Sequence, residues 1–430
     1  MRSACWSSPA ASVKMGRGDG PSIPIYFATE SLRLYVKEGL ILNIRLLTGD
    51  ERFQARLIST VAFHMRMEDP DKAREESAQE TIQDWGAFHE DGTLMAHVIN
   101  HSFMSFLDGH LIRNGGIGGV STLPEYRLNG CVREIFKSLL PCAYASGEVI
   151  STLYPFSHTF YRQFGYETVP WKNVYEFSPA VLKDYAFHGE ARLWTPNDPV
   201  DPWMDLYNRF ASSFNLSIHW DPQRTLNHLK GVYYQDRKFS YMLCEHGRPV
   251  AFLIFQDVRH DPQAILQVQH LAWDGARGFR AMLGFLARFS ADYGMIRLFL
   301  PSSVELLSLI RSPLAYDIKK TTEHNYMIRV VNAFEALKSL RMPEDAAFTV
   351  RVEDGLIPEN NGTWHVSAEG VVPSSQTPDL TVSEKALGQL ISGAVSLSEA
   401  VLREDTVLHG NQDTLSRIFV RKPILVEDFF

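Results

Sequence analysis

Cysteine is scarce in this chain: four in 430 residues, at Cys5, Cys131, Cys142 and Cys244, with no C-x-x-C pair and no histidine at zinc spacing. That excludes a disulfide framework and a zinc module, and reduced thiols in a cytoplasm are the simplest account. Long apolar runs are missing too. Each is interrupted well short of the ~20 residues that cross a bilayer, and Met1 to Gly20 holds no sustained apolar h-region, so neither membrane insertion nor secretion is expected. There is no basic excess either. Lys and Arg number 42 against 50 Asp and Glu, a net charge of −8, which argues against nucleic acid as a partner and fits either a cationic ligand or plain solubility.

The most informative stretch present is Gly116 to Arg133. It reads as a β-run stopping at Pro124, a glycine-containing turn, then a helix with Val132, Ile135, Phe136, Leu139 and Leu140 at helical spacing. A helix start has four N–H groups without intrahelical partners and the positive end of the helix dipole, so this order can hold a pyrophosphate by main chain. Gly130, without a Cβ, lets the backbone approach phosphates closely. Pro141 predicts that the helix ends or kinks there. Cys131 sits in the loop without a visible base and is read as a backbone donor, not a nucleophile.

Arg127-x-x-Gly130-x-Val132 resembles the R/Q-x-x-G-x-G/A acetyl-CoA signature of GNAT N-acetyltransferases, and the words around it resemble the Eis-type aminoglycoside and polyamine acetyltransferases. Gly115-Gly116-Ile117 to Arg127 is similar to that family's GG-x-x-GVATLPEYR segment. Leu153-Tyr154-Pro155-Phe156-Ser157-His158 and Phe160-Tyr161-Arg162-Gln163-Phe164-Gly165-Tyr166-Glu167 are similar to its YPF-x-x-x-YR-x-FGYE segment. Val132 departs from the Gly or Ala usual at the last signature position. The resemblance implies an α/β (α+β) chain of tandem GNAT acyltransferase domains with mixed central sheets, followed by a sterol-carrier-like α+β domain. It further implies acetyl-CoA as co-substrate without a metal, a small cationic amine as acceptor, and a hexameric homo-oligomer.

The domains expected are an N-terminal extension over 1–40, lacking a clear period; a catalytic GNAT domain over 41–182; a degenerate GNAT-like domain over 190–340; and the sterol-carrier-like domain over 343–430. In the first, strands are expected at Ile41–Leu47, Leu94–Ile99, His110–Ile112 and Glu148–Tyr154, with helices from Glu51 to Phe63 and through Asp69–Glu80. A Pro and Asp-rich passage, Trp194–Pro202, reads as a linker. Beyond it Phe239–Cys244, Val250–Gln256, Ile265–Trp273 and Met295–Leu300 read as strands, with a helix over Phe279–Ser290. Asp274-Gly275-Ala276-Arg277-Gly278-Phe279 does not match the signature, so that domain is expected to hold no coenzyme. Last come a hairpin around Asn360-Asn361-Gly362 and a helix capped by Ser383.

By the resemblance, Val120, Ser121 and Thr122 bond the pantetheine arm through their backbone, Leu128, Asn129, Gly130, Cys131, Val132 and Arg133 cradle the pyrophosphate, and Phe156 and Ser157 lie near the coenzyme. Arg127 and Arg133 supply charge to phosphates or are surface residues of the helix start. Acetyl transfer from a thioester to an amine needs a proton removed from the ammonium and one given to the thiolate. Tyr161 aligns with the family's general acid; taken from composition alone it reads as one more core aromatic beside Phe160, Phe164 and Tyr166. His158 is an alternative acid or a substrate-pocket residue. Phe430 matches the terminal residue whose carboxylate that family inserts into its site; the opposing reading is a frayed, solvated tail. Glu427 and Asp428 add negative potential near the acceptor or are solvated charges. Two other functions stay open: an N-acyltransferase for protein or peptide amines, and a non-catalytic lipid or CoA carrier.

Overall fold

The computed structural model describes residues 32–36, 40–79, 82–170, 172–231, 233–260, 263–311 and 317–430. The expected extension over 1–40 therefore lies outside the described residues, apart from Leu32–Val36 and Leu40. The first part of the chain supplies β1 (Leu32–Val36), β2 (Leu40–Leu46), α1 (Asp50–Phe63), α2 (Pro70–Gln79), β3 (Gln83–Phe88), β4 (Leu94–Leu107), β5 (His110–Thr122), α3 (Cys131–Ala145), β6 (Ile150–Leu153), α4 (His158–Arg162) and β7 (Glu167–Val169). The middle supplies β8 (Lys172–Phe177), β9 (Glu190–Leu193), α5 (Asp201–Ala211), α6 (Pro222–Leu229), α7 (Tyr233–Asp236), β10 (Lys238–Glu245), β11 (Arg248–His260), β12 (Gln263–Trp273), α8 (Gly275–Ala287), β13 (Met295–Pro301) and β14 (Lys319–Glu323). After β15 (Tyr326–Val330) and α9 (Ala333–Lys338) come β16 (Ala347–Glu353), β17 (Gly362–Ser367), β18 (Gly370–Pro373), β19 (Leu380–Ser383), α10 (Glu384–Ser392) and β20 (Thr406–Leu408).

These strands form three mixed sheets, ordered β1-β2-β3-β4-β5-β6-β15-β7, β14-β8-β13-β12-β11-β10-β9 and β18-β17-β16-β19-β20. The first two trade a strand. β8 leaves the first part of the chain to lie between β13 and β14, while β15 returns from beyond the second to pair with both β6 and β7. A buried ion pair ties the third unit to the first: Arg329 of β15 meets Asp354 at 2.8 Å and donates from Nη1 to the Phe164 carbonyl at 2.7 Å. Gly165 makes room for it. At φ +82° its backbone suits glycine, and a Cβ there would stand 1.6 Å from Arg329 Nη1.

α3 lies across the first sheet and buries Ile135, Phe136, Leu139, Leu140 and Ala143 in one cluster with Trp85, Val98, Ile117 and Leu153. It does not end at Pro141, one of the two outcomes expected there, but runs on to Ala145. A mid-helix proline forfeits one hydrogen bond at about 3 kcal/mol. Burying Leu139, Leu140 and Ala143 on the sheet offsets that loss, since a buried Leu contributes about 1.5–3 kcal/mol. Among the described residues no helix is long and apolar enough to cross a membrane.

Candidate functional site

β5 and β6 run parallel in register from Asn114↔Ile150 to Ile117↔Leu153 and then part, because β6 ends at Leu153 while β5 continues to Thr122. Gly118–Thr122 thus keep a free edge on that side. Their other edge is bulged. Ile99 pairs with Gly118 and His97 with Ser121, so Gly119 and Val120 together oppose one residue of β4. Gly119 carries the bend at φ +59°, where a Cβ would come within 2.8 Å of Ile99 Cδ1. A bent, free strand edge beside a cleft is a template for an extended ligand with amide groups. Val120 and Thr122 are half-exposed there, whereas the side chain of Ser121 is buried.

Eight residues join Thr122 to α3. In them Leu128 and Gly130 have φ of +69° and +78°, and the Leu128 side chain is fully exposed. A leucine in this region costs about 1–2 kcal/mol and gains nothing from burial, so the turn is kept for its backbone. Glu134 is the first residue of the helix whose N–H is satisfied, by Gly130 O at 3.1 Å. The N–H groups of Leu128, Asn129, Gly130, Cys131, Val132 and Arg133 precede it without an acceptor among the described residues. This row at the positive end of a 15-residue helix is an anion cradle. Val132 packs against the core cluster with Val120 and Tyr126. Burial pushes the Cys131 thiol up to about 11, which suits a backbone donor at the helix start and not a nucleophile. Arg127 is exposed, and Arg133 bonds Gln163 Oε1 at 3.2 Å.

Tyr161 projects from α4 into an aromatic group, with ring centroids 5.2 Å from Phe156, 5.2 Å from Phe160 and 6.2 Å from Tyr166. Burial, and to a lesser degree Tyr166, holds its phenol well above the ordinary value. Ser157 caps α4 by accepting from Phe160 N–H, and exposed Phe156 stands at the end of β6. His158 turns away, with Nε2 3.1 Å from the His324 carbonyl.

The tail is anchored and not frayed: Val426 and Asp428 are buried and the Glu427 side chain is 2% exposed, while Phe429 stands exposed between Asp428 and Phe430. The Phe430 ring lies 4.9 Å from Phe103, 5.7 Å from Tyr154 and 6.1 Å from His101. Glycines of β5 form its seat. A Cβ on Gly116 would be 2.3 Å from the Phe103 ring and 2.7 Å from that of Phe430; one on Gly118 would be 3.5 Å from the Phe430 carboxyl carbon and 3.3 Å from His101 Nε2. Tyr161 belongs to the same core cluster as Ile117 and Leu153, while Phe430 packs on Gly116 and Tyr154. Neighbours along a strand face opposite ways, so the two lie on opposite faces of the sheet, on either side of the place where β5 and β6 part.

Two groups here escaped the sequence reading. Burial and the Arg224 charge push His101 down to about 4, so beside the chain terminus it is neutral near pH 7. Behind the bulge, His97 Nδ1 is 2.9 Å from Asp84 Oδ1 and Nε2 is 2.8 Å from Ser59 Oγ. Ser59 Oγ lies 3.4 Å from Ser121 Oγ, which donates to the Gly119 carbonyl at 3.0 Å. This buried chain of polar groups ends on the bulge and fixes its shape. The even spacing of residues 97, 101 and 103 was the available signal, since it puts them on one face of β4.

The parted strands, the bulge and the row of helix-start N–H groups belong to an acyl-CoA-dependent acetyltransferase. Residues 43–169 match the acetyltransferase (GNAT) domain, and residues 330–426 match the sterol carrier protein domain. The chain therefore joins a GNAT acetyltransferase domain to a C-terminal sterol carrier protein domain. No curated protein sequence matches it. Among solved structures it resembles a GCN5-related N-acetyltransferase from Anabaena variabilis (TM-score 0.78, 18% identity, 90% of this chain and 100% of that one). It also resembles Eis1 from Mycobacterium abscessus (0.74, 18%, 90% and 100%) and a GCN5-related N-acetyltransferase from Kribbella flavida (0.77, 19%, 91% and 99%). At these identities the likeness is one of fold. It extends over all three sheets.

Proposed function

We propose that this protein transfers acetyl from acetyl-CoA directly to a primary amine of a small polycation, of the polyamine or aminoglycoside kind. The acceptor class rests on the likeness of the signature words to the Eis-type enzymes. The observation that carries the reading is the seating of the chain terminus on Gly116 and Gly118, beside an anion cradle and a free strand edge.

The residues divide the task. The N–H groups of Leu128–Arg133 hold the pyrophosphate, with Arg127 and Arg133 adding charge at the rim. The free edge at Val120–Thr122 takes the pantetheine amides, and Phe156 and Ser157 border the same cleft. Bound there, the coenzyme supplies an activated acetyl thioester. Tyr161 gives its proton to the departing thiolate; a phenol keeps that proton at neutral pH even at its ordinary value. The Phe430 carboxylate orients the ammonium and receives its proton through solvent. We also carry the hexamer over as the expected assembly, to be checked by native mass measurement.

The test is thiol release from acetyl-CoA against a panel of polyamines, aminoglycosides and single-amine controls. Polycations should be turned over with one thiol released per amide formed. Thiol release that does not depend on any amine would sink the reading; a preference for long acyl chains or peptide amines would replace it with the protein N-acyltransferase alternative.

A further inference from the structure

The second sheet repeats the parting of strands seen in the first. β12 pairs in parallel with β13 only over Ile265–Gln267 and Met295–Arg297, after which the two diverge. The chain's own end lies at that divergence. Ser302, just past β13, donates its N–H to the Ile424 carbonyl at 3.3 Å; Asn215 donates to Pro423 at 2.8 Å and accepts from Leu425 at 3.2 Å. Glu427 then reaches within 3.8 Å of His270 Nδ1 on β12.

Asp428 is held hardest. Its Oδ1 accepts from Arg224 Nη1 at 3.0 Å and His228 Nε2 at 2.7 Å, both on α6, and its Oδ2 from Trp220 Nε1 at 3.3 Å. Trp220 is itself fixed, fully buried and stacked on Tyr207 at 3.8 Å and on His228 at 4.5 Å. The backbone of Asp428 faces the first sheet, where its carbonyl accepts from the Tyr154 hydroxyl at 2.9 Å. Arg224 also lies 4.5 Å over the Phe103 ring that flanks Phe430. From Asp428 to the terminal residue is two residues, about 7 Å of extended chain. A carboxylate with three donors, buried between two sheets and that close to the terminus, leaves Phe430 little freedom.

We propose that the second, coenzyme-free unit is a clamp for the chain terminus, with Asp428 as the positioning residue that sets the Phe430 carboxylate over the acyl cleft of the first. This rests on the reading of that carboxylate as a participant in acetyl transfer. The tail occupies in the second unit the kind of opening that the first leaves free for an outside ligand.

The test uses the full chain with Asp428→Asn, which keeps shape and removes charge. Three quantities are measured: release of free phenylalanine by a carboxypeptidase, kcat and KM for a polyamine, and the Kd of acetyl-CoA by calorimetry. The expected result is Phe430 release at least tenfold faster and kcat at least tenfold lower, with the acetyl-CoA Kd changed less than twofold. His228→Gln, on the surface helix α6, should give the same pattern at smaller size and serves if D428N does not fold. Release no faster than in the parent overturns the clamp alone. Faster release with unchanged kcat overturns the positioning role and, with it, the catalytic reading of the terminal carboxylate; a kcat loss that tracks an equal loss of acetyl-CoA binding overturns the positioning role by making the effect a structural one.

Discussion

The first and second sheets start from one plan and end with opposite openings. In both, a long strand pairs in parallel with a shorter one and then parts from it, and a helix follows the long strand. Eight residues separate β5 from α3, enough for a turn with two positive φ angles and a row of free N–H groups. One residue, Asp274, separates β12 from α8. No anion cradle fits in that space, and a carboxylate stands at the helix start where a phosphate would go. α8 also sits too low. A Cβ on Gly278 would be 2.0 Å from the Val250 carbonyl, so that helix lies directly on β11. What separates the proposed coenzyme site from the second unit's opening is therefore the length of one connection and what fills the gap between two strands.

The sharpest way to break the comparison is through groups found only at the first opening. Tyr161→Phe removes the proposed acid and leaves the aromatic packing. An acid contributes ~10²–10⁴-fold, so kcat should fall at least about a hundredfold with the KM for acetyl-CoA unchanged. Steady-state kinetics decide, and a variant as fast as the parent would return Tyr161 to the status of a core residue.

Next in size are the two turn glycines at the helix starts. Gly130→Ala strains a φ of +78° within the cradle, and Gly275→Ala strains a φ of +57° with open space around it. Each should cost about 1 kcal/mol of stability. Only the first should weaken acetyl-CoA binding, by roughly tenfold, as about 1.4 kcal/mol corresponds to that factor. Calorimetry that finds equal losses for both would erase the functional difference between the two openings. Gly116→Ala follows. Its Cβ must displace the Phe103 or Phe430 ring, so acetylation should fall several-fold while coenzyme affinity holds, read by the same two measurements.

How much of this was legible in sequence follows the range of the interactions. α1, α3 and the long strands write their burial into local periods, and the loop between Thr122 and Cys131 announces itself by Pro124 and Gly130. The exchange of β8 and β15 does not, because a strand's period fixes which face it buries and not which neighbour, some 150 residues away, it joins. β3 was overlooked for a related reason. Its sequence, Gln83–Phe88, mixes polar Asp84 with Gly86, and Asp84 is inward only because His97 bonds it. Within the site, backbone donors could be read from glycine and helix order, but Tyr161 and Phe430 stood out only through a family's words. Asp428 was open to reading as a solvated charge, since Trp220, Arg224 and His228 lie some 200 residues before it and carry no mark of converging.

The smallest effect concerns a carboxyl of the first sheet that takes no part in binding. Glu148 is buried beneath α3, with Oε1 accepting from Asn100 Nδ2 at 2.8 Å and Oε2 without a partner among the described residues. Gly115 leaves it room, since a Cβ there would stand 2.1 Å from Oε2. Burial pushes this carboxyl up to about 7 against the pull of Asn100 and the Arg113 charge. The folded state thus holds the proton more tightly than the unfolded one. Its contribution to stability is complete below the ordinary carboxyl value of 4.5, declines as pH rises, and is gone once pH passes about 7. Glu148→Gln imitates the protonated form and can donate to Asn100 Oδ1, which has no partner among the described residues. Urea unfolding should show it more stable than the parent at pH 8, by at most about 3 kcal/mol, and equal to it near pH 4. A gap of the same size at both pH values would mean that Glu148 does not titrate in this range. Glu427, whose carboxyl burial also raises, lies in the C-terminal tail against the second sheet and should leave a residual pH dependence in the Glu148→Gln protein, so the two sheets separate once more by which of them the remaining slope follows.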